Sequence, residues 1–257
     1  METIGLIAAA GQATRLSPLP GSKELFPIGF EPHPETGEPH PKPVSKYLLE
    51  LMREAGARQV YLVIRKGKWD IPQYYGDGSQ LCMHLAYLIM NQPYGPPFSL
   101  DQAYTFAKDK TVVFGFPDIL ISPPDALKTM LAKLQATQAD VVLGAFPVQQ
   151  PHKWDMLEFG EDGAVKHIYP KPKQSKLRYG WALACWKPAF TEFMHQHLQQ
   201  VLAWKNKPDK AFELSVGAVI QAAIDNGLQV QSVCFDSGTS LDTGTPEDLQ
   251  AAIRNYS

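Results

Sequence analysis

Cysteine is scarce here, and the three that occur, Cys82, Cys185 and Cys234, form no Cys-x-x-Cys pair and no metal-ligand spacing. That argues against a disulfide-built fold and against a structural zinc site, and fits reduced thiols in an intracellular protein. No apolar run is long enough to span a bilayer. Residues 1–10 are apolar but lack the basic start of a secretory signal, so a cytoplasmic location is expected. No block of like charge occurs. Lysine and arginine are scattered and the net charge is -2, which gives no footprint for nucleic acid. Internal repeats are also missing. What the chain does have is core material: 44% hydrophobic and 19% charged residues in 257, enough for one large α/β unit.

The stretch that organises the rest is Ile4-Gly5-Leu6-Ile7-Ala8-Ala9-Ala10-Gly11-Gln12-Ala13-Thr14-Arg15-Leu16, followed by Ser22-Lys23-Glu24-Leu25-Phe26-Pro27. A short apolar run meets small residues and then a cation. It reads as a buried first strand entering a tight loop whose backbone N–H groups could face an anion. Arg15 offers a planar fork for phosphate oxygens and Lys23 a mobile point charge.

Further strands are expected over 60–64, 85–90, 111–116 and 140–146, with helices over 47–55, 101–108 and 126–134. That alternation predicts a doubly wound, mostly parallel sheet, with ligands beyond the carboxyl ends of the strands. The second half, from about 151, changes character. Strands over 156–159, 164–169 and 179–186 with short turns predict a smaller antiparallel part, and Asp162-Gly163 is a hairpin signal. Helices over 190–204 and 214–226, a strand over 228–235, and a closing helix from Pro246 capped by Thr245 complete the pattern. Residues 29–43 are a proline-rich break, read as an inserted mobile loop. His33 and His40 within it have no third ligand nearby and read as solvated.

The spelling of the first loop, with Lys23-Glu24-Leu25-Phe26-Pro27, resembles the signature of the sugar-phosphate nucleotidyltransferases, in particular the glucose-1-phosphate thymidylyl- and uridylyltransferase branch. That family's loop ends in Gly-Thr-Arg-Leu or Gly-Thr-Arg-Met before a Lys-x-Leu-x-Pro segment. Ala10 and Ala13 stand where it usually has glycine. The change at Ala13 is the more serious, because a Cβ restricts φ and the approach of a phosphate. The resemblance runs from Ile4 to about Leu249 and implies a Rossmann-like, GT-A-like nucleotidyltransferase fold over 1–257, with a nucleotide-binding half (about 1–150) and an acceptor-binding half (about 151–257).

The resemblance also implies roles. Ala9, Ala10, Gly11, Gln12, Arg15 and Lys23 would hold a nucleoside triphosphate. Gln92, in a Gln-Pro pair, would read a pyrimidine base, since an amide matches the imide edge of uracil or thymine. Asp118, ending Phe116-Pro117-Asp118, and Asp242, in Asp242-Thr243-Gly244-Thr245, would bind Mg²⁺. Lys171, before Pro172, would hold the acceptor phosphate. Arg15, Lys23, Asp118 and Lys171 are thus the candidate catalytic set. The acceptor side departs from the family. Trp154-Asp155-Met156-Leu157-Glu158-Phe159 replaces Tyr-Gly-Val-Val-Glu-Phe, Pro170 replaces a sugar-binding Glu, and Gly180-Trp181 replaces Thr-Gly. Asp155, Lys171 and Trp181 are therefore the acceptor candidates, and glucose 1-phosphate is expected to be a poor substrate.

The implied substrates are UTP or dTTP and a sugar 1-phosphate. Oligomeric state is not readable, and a homo-oligomer is left open. Three rivals stay in view: a regulatory binding protein on the same fold, a nucleotide-sugar glycosyltransferase, and a nucleotidyltransferase for a non-sugar phosphate. The second is disfavoured because no Asp-x-Asp occurs, and the third by the Asp242-Thr243-Gly244-Thr245 segment.

Overall fold

The computed structural model describes residues 1–33, 35–91, 94–161, 163–205 and 212–256. The chain opens with β1 (Thr3–Ala8), then a long irregular loop and a single 3-10 turn, Lys23–Leu25. Next come β2 (Pro27–Pro32), β3 (Pro39–Pro43), α1 (Val44–Glu54), β4 (Gln59–Arg65), α2 (Asp70–Tyr75), β5 (His84–Met90), α3 (Pro96–Asp101), α4 (Tyr104–Ala107), β6 (Thr111–Gly115) and β7 (Ile119–Ser122). The remainder is α5 (Ala126–Ala136), β8 (Val141–Pro147), β9 (Met156–Phe159), β10 (Val165–Tyr169), β11 (Tyr179–Trp186), α6 (Pro188–Lys205), α7 (Val216–Asp225), β12 (Val230–Cys234), β13 (Thr239–Asp242) and α8 (Pro246–Tyr256).

Among the described residues the main sheet has nine strands. β5, β4, β1 and β6 run parallel; β11 is inserted antiparallel between β6 and β8; β12 is parallel to β8. The β9–β10 hairpin joins the end of β11 through Gly180 and Met156, and is the smaller antiparallel part. The expected α/β, doubly wound, mostly parallel sheet is what forms. Burial on both faces explains why β1 and β8 read as continuous apolar runs. Ile4 and Leu6 of β1 point into one core with Phe98, Phe190, Leu198 and Val219 from α3, α6 and α7. Ile7 points into the other with Leu48, Met52, Leu127 and Met130 from α1 and α5.

The proline-rich stretch is not a structureless loop. β2 and β3 pair antiparallel, with Glu31 opposite His40 and Pro32 opposite Pro39. The prolines are tolerated because a two-stranded ribbon leaves one side of each strand without a ladder partner. Its base is core: Ile28 and Val44 are buried against Leu120 and Ala252. Its flank is tied down by Glu31, which meets the ammonium of Lys46, while Lys42 reaches Glu50 at 2.5 Å.

Other departures are local. The helix expected over 101–108 starts earlier and is split into α3 and α4. Two short strands, β7 and β13, appear where the sequence pattern marks no element. The Asp162 half of the hairpin signal lies outside the described residues, while Gly163 adopts φ +75° as such a turn requires. The N-cap of α8 is as expected: Thr245 Oγ1 accepts the Asp248 N–H at 3.3 Å. No helix among the described residues is long and apolar enough to cross a membrane.

Candidate active site

β7 and β13 form an antiparallel pair with Asp242 opposite Ile119, which sets Asp242 beside the residue that precedes β7, Asp118. Thr243 locks the junction: its N–H and its hydroxyl both donate to the Asp118 carbonyl at 2.9 Å. Two carboxylates distant in sequence are thereby held at the carboxyl edge of the sheet. The Gly244 N–H donates to Asp242 Oδ1 at 2.7 Å. Burial and then the Asp118 charge push the Asp242 carboxyl above the usual range, against the pull of the Gly244 N–H, Arg15 and Lys23.

Two cations face this pair. Lys23 Nζ donates to Asp118 Oδ2 at 2.5 Å. Burial pulls the Lys23 ammonium down, but Asp118, helped by Glu24 and Asp242, outweighs it and raises the group overall. Arg15, on the loop after β1, is exposed and brings its guanidinium to Gly244, where a Cβ would lie 2.9 Å from Nη2 and 2.8 Å from Asp242 Oδ1. Glycine at 244 thus leaves room for both side-chain ends, which a Cβ would have to displace.

In the first loop, Ala9 and Ala10 are buried while Gly11 and Gln12 are exposed. Ala13 adopts φ +54°, in the left-handed region. Its carbonyl accepts from the N–H groups of Leu16 and Ser17 at 3.0 and 3.1 Å and from the Ser17 hydroxyl at 3.2 Å. The position where the resembled family carries glycine thus has a glycine-like backbone, occupied by alanine.

A second group forms around Asp155. Its Oδ2 lies 2.3 Å from where a Cβ on Gly217 would be, so the carboxylate rests on the first turn of α7, whose positive end favours it. Burial raises this carboxyl; the Lys171 charge and N–H, and then the Trp181 indole, act against that. Lys171 itself has φ +40°. Trp181 is only 4% exposed and packs on the Phe116 ring at 5.8 Å, two residues before Asp118. Among the described residues neither Asp155 Oδ1 nor Trp181 Nε1, both buried, makes a hydrogen bond, so the indole acts on the carboxyl by proximity and not through a formed bond.

The candidates therefore fall into two clusters: Arg15, Lys23, Asp118 and Asp242 in one, Asp155, Lys171 and Trp181 in the other, linked through Phe116. Gln92 lies outside the described residues. Sequence reasoning missed the residues that hold Lys23. Lys68 Nζ sits 2.7 and 2.8 Å from the two carboxylate oxygens of Glu24, and Asp70 accepts from the N–H and hydroxyl of Ser22 at 2.6 and 2.7 Å. The signal available was their place just after β4, at the ligand-binding edge of the sheet.

A doubly wound sheet with paired carboxylates and two cations at its carboxyl edge defines an α/β protein whose candidate site lies where such sheets take their ligands. The chain belongs to the nucleotidyl transferase family, whose model matches residues 4–257. It is 26% identical over 247 residues to a glucose-1-phosphate thymidylyltransferase of Streptomyces antibioticus, covering 95% of this chain and 63% of that protein. It is 22% identical over 252 residues to the low-salt glycan biosynthesis nucleotidyltransferase Agl11 of Haloferax volcanii, covering 96% of this chain and 64% of the relative. The chain thus spans under two thirds of the length of these two relatives. A solved UDP-glucose pyrophosphorylase bound to UDP-glucose superposes with a TM-score of 0.78 at 20% identity, over 100% of this chain and 98% of that one. At that identity the likeness speaks to the fold.

Proposed function

We propose that this protein transfers a nucleoside monophosphate from a nucleoside triphosphate, UTP or dTTP, to a sugar 1-phosphate. An oxygen of the sugar phosphate forms a bond to the α-phosphorus, and the bond to the departing pyrophosphate breaks. The observation that carries this reading is the convergence of Arg15 and Lys23 on the Asp118–Asp242 pair. Such chemistry needs positioning and charge neutralisation and no covalent residue. Arg15 and Lys23 would hold the triphosphate and the leaving pyrophosphate, with Ala9, Ala10, Gly11 and Gln12 lining the approach and Gln92 meeting the base. Lys171 would hold the acceptor phosphate beside Asp155.

The residues fit Mg²⁺. Asp118 and Asp242 offer hard oxygen donors, and the Asp242 carboxyl, raised by burial and then by the Asp118 charge, belongs to a negative pair that a cation would relieve. Bound there, Mg²⁺ would neutralise charge on the triphosphate.

On the acceptor side, Asp155 adds a carboxylate and Trp181 fills space that smaller residues would leave open. The preferred acceptor is accordingly a modified sugar phosphate, deoxy or amino, over glucose 1-phosphate. The test is a matrix of triphosphates against sugar 1-phosphates, scored by pyrophosphate release. Turnover of glucose 1-phosphate above about 10⁴ M⁻¹s⁻¹ in kcat/KM would refute the acceptor assignment. Triphosphate binding with no turnover across the panel would instead favour a regulatory binding protein.

A further inference from the structure

Lys23 lies between two anchored neighbours. Before it, Ser22 is gripped by Asp70 through both its N–H, at 2.6 Å, and its hydroxyl, at 2.7 Å. After it, Glu24 is gripped at both ends. Its carboxylate takes Lys68 Nζ at 2.7 and 2.8 Å, and its carbonyl accepts the Ser45 hydroxyl at 2.6 Å. Ser45 is in turn fixed by the Tyr75 hydroxyl at 2.7 Å. Glu24 and Lys68 are 2% and 4% exposed, so this is a fully buried ion pair. Lys68, Asp70 and Tyr75 all belong to one segment, the turn after β4 and α2.

A buried ion pair is a poor way to gain stability, because desolvation offsets most of its attraction. Its use here is geometric. A flexible four-carbon side chain reaches a phosphate reproducibly only if its backbone is fixed, and a displacement of about 1 Å can cost a hundredfold in rate. Both residues flanking Lys23 are pinned, Ser22 through its N–H and hydroxyl and Glu24 through its carboxylate and carbonyl, and neither can slide without breaking hydrogen bonds to a charged group.

We propose that Asp70 and the Glu24–Lys68 pair are positioning residues that set the Lys23 ammonium for the triphosphate. This rests on the functional reading above, in which Lys23 meets the phosphates. Lys68→Met alone would strand a buried carboxylate and could unfold the chain, so the pair is removed as the Glu24→Met, Lys68→Met double variant, alongside Asp70→Asn. Binding of UTP and of dTTP with Mg²⁺ is measured by calorimetry on the full chain, in the Lys23 and in the Lys23→Met backgrounds, with thermal melts as the check on folding.

The expected result is a loss of roughly tenfold in triphosphate affinity for each change when Lys23 is present, shrinking to about twofold or less when Lys23 is methionine. A structural role would not produce that dependence on Lys23. Equal losses in both backgrounds, or unchanged affinity in folded variants, would overturn the clamp and leave the functional reading standing. Failure of the unaltered protein to bind either triphosphate would overturn both.

Discussion

Replacing Ala13 with glycine should make this protein more stable, against the usual direction for alanine-to-glycine changes. Ala13 has φ +54°. An L-residue in that region carries about 1–2 kcal/mol of steric cost. Glycine removes that cost but gives back about 0.5–1 kcal/mol through the greater freedom of its unfolded chain. The balance is about 0–1.5 kcal/mol in favour of glycine. For a chain of this size that corresponds to a rise of up to roughly 6 °C in the melting temperature. Differential scanning calorimetry reads it directly. Ala10→Gly is the internal control: Ala10 is 1% exposed and has no positive φ, so the same substitution there should lower the melting temperature. Triphosphate binding should be equal or tighter in Ala13→Gly, since a methyl group is removed from the turn proposed to face the phosphates. A lower melting temperature for Ala13→Gly would refute the strain argument.

Three further outcomes are expected. Asp118→Asn and Asp242→Asn should each cut turnover by roughly two orders of magnitude or more while the fold persists; near-normal rates at limiting Mg²⁺ in both would remove them from the metal site. Shortening the ribbon tip over 35–38, which is exposed, should leave the melting temperature nearly unchanged, whereas Ile28→Ala should lower stability by about 2–5 kcal/mol; equal effects in denaturant melts would mean the ribbon is uniformly loose or uniformly packed. Burial pushes the Asp70 carboxyl up, but the Ser22 N–H and hydroxyl outweigh it and hold it below the usual range. A depressed folded pKa stabilises above the unfolded value, about 3.9, and that contribution is lost as pH falls through the folded one. The urea-midpoint gap between unaltered protein and Asp70→Asn should therefore be widest near neutrality and close in acid; a gap that widens in acid would contradict it.

Local pattern alone carried a good part of this protein. Apolar runs bounded by turn residues marked β1, β4, β6 and β8, and Thr245-Pro246 marked the start of α8, because strand burial and helix capping are written within a few neighbouring residues. Arg15, Lys23, Asp118 and Asp242 were legible as site candidates through the resemblance of their short motifs to a family signature. Their meeting was not. It depends on β7 and β13, two four-residue strands too short to announce themselves, whose register is fixed only when residues on opposite sides of the chain's midpoint are packed together. The same holds for Glu24 with Lys68, ordinary charged residues until the fold buries them as a pair, and for Trp181, whose burial on Phe116 is decided by how β11 lies across β6. The proline-rich stretch shows the limit from the other side. Proline forbids a central strand, and the sequence said so, but only the packing of Ile28 and Val44 against Leu120 and Ala252 turns that stretch into an anchored ribbon. Residue type sets what each position can do; which partners it meets across the chain is a property of long-range pairing, and that is settled by the tertiary fold.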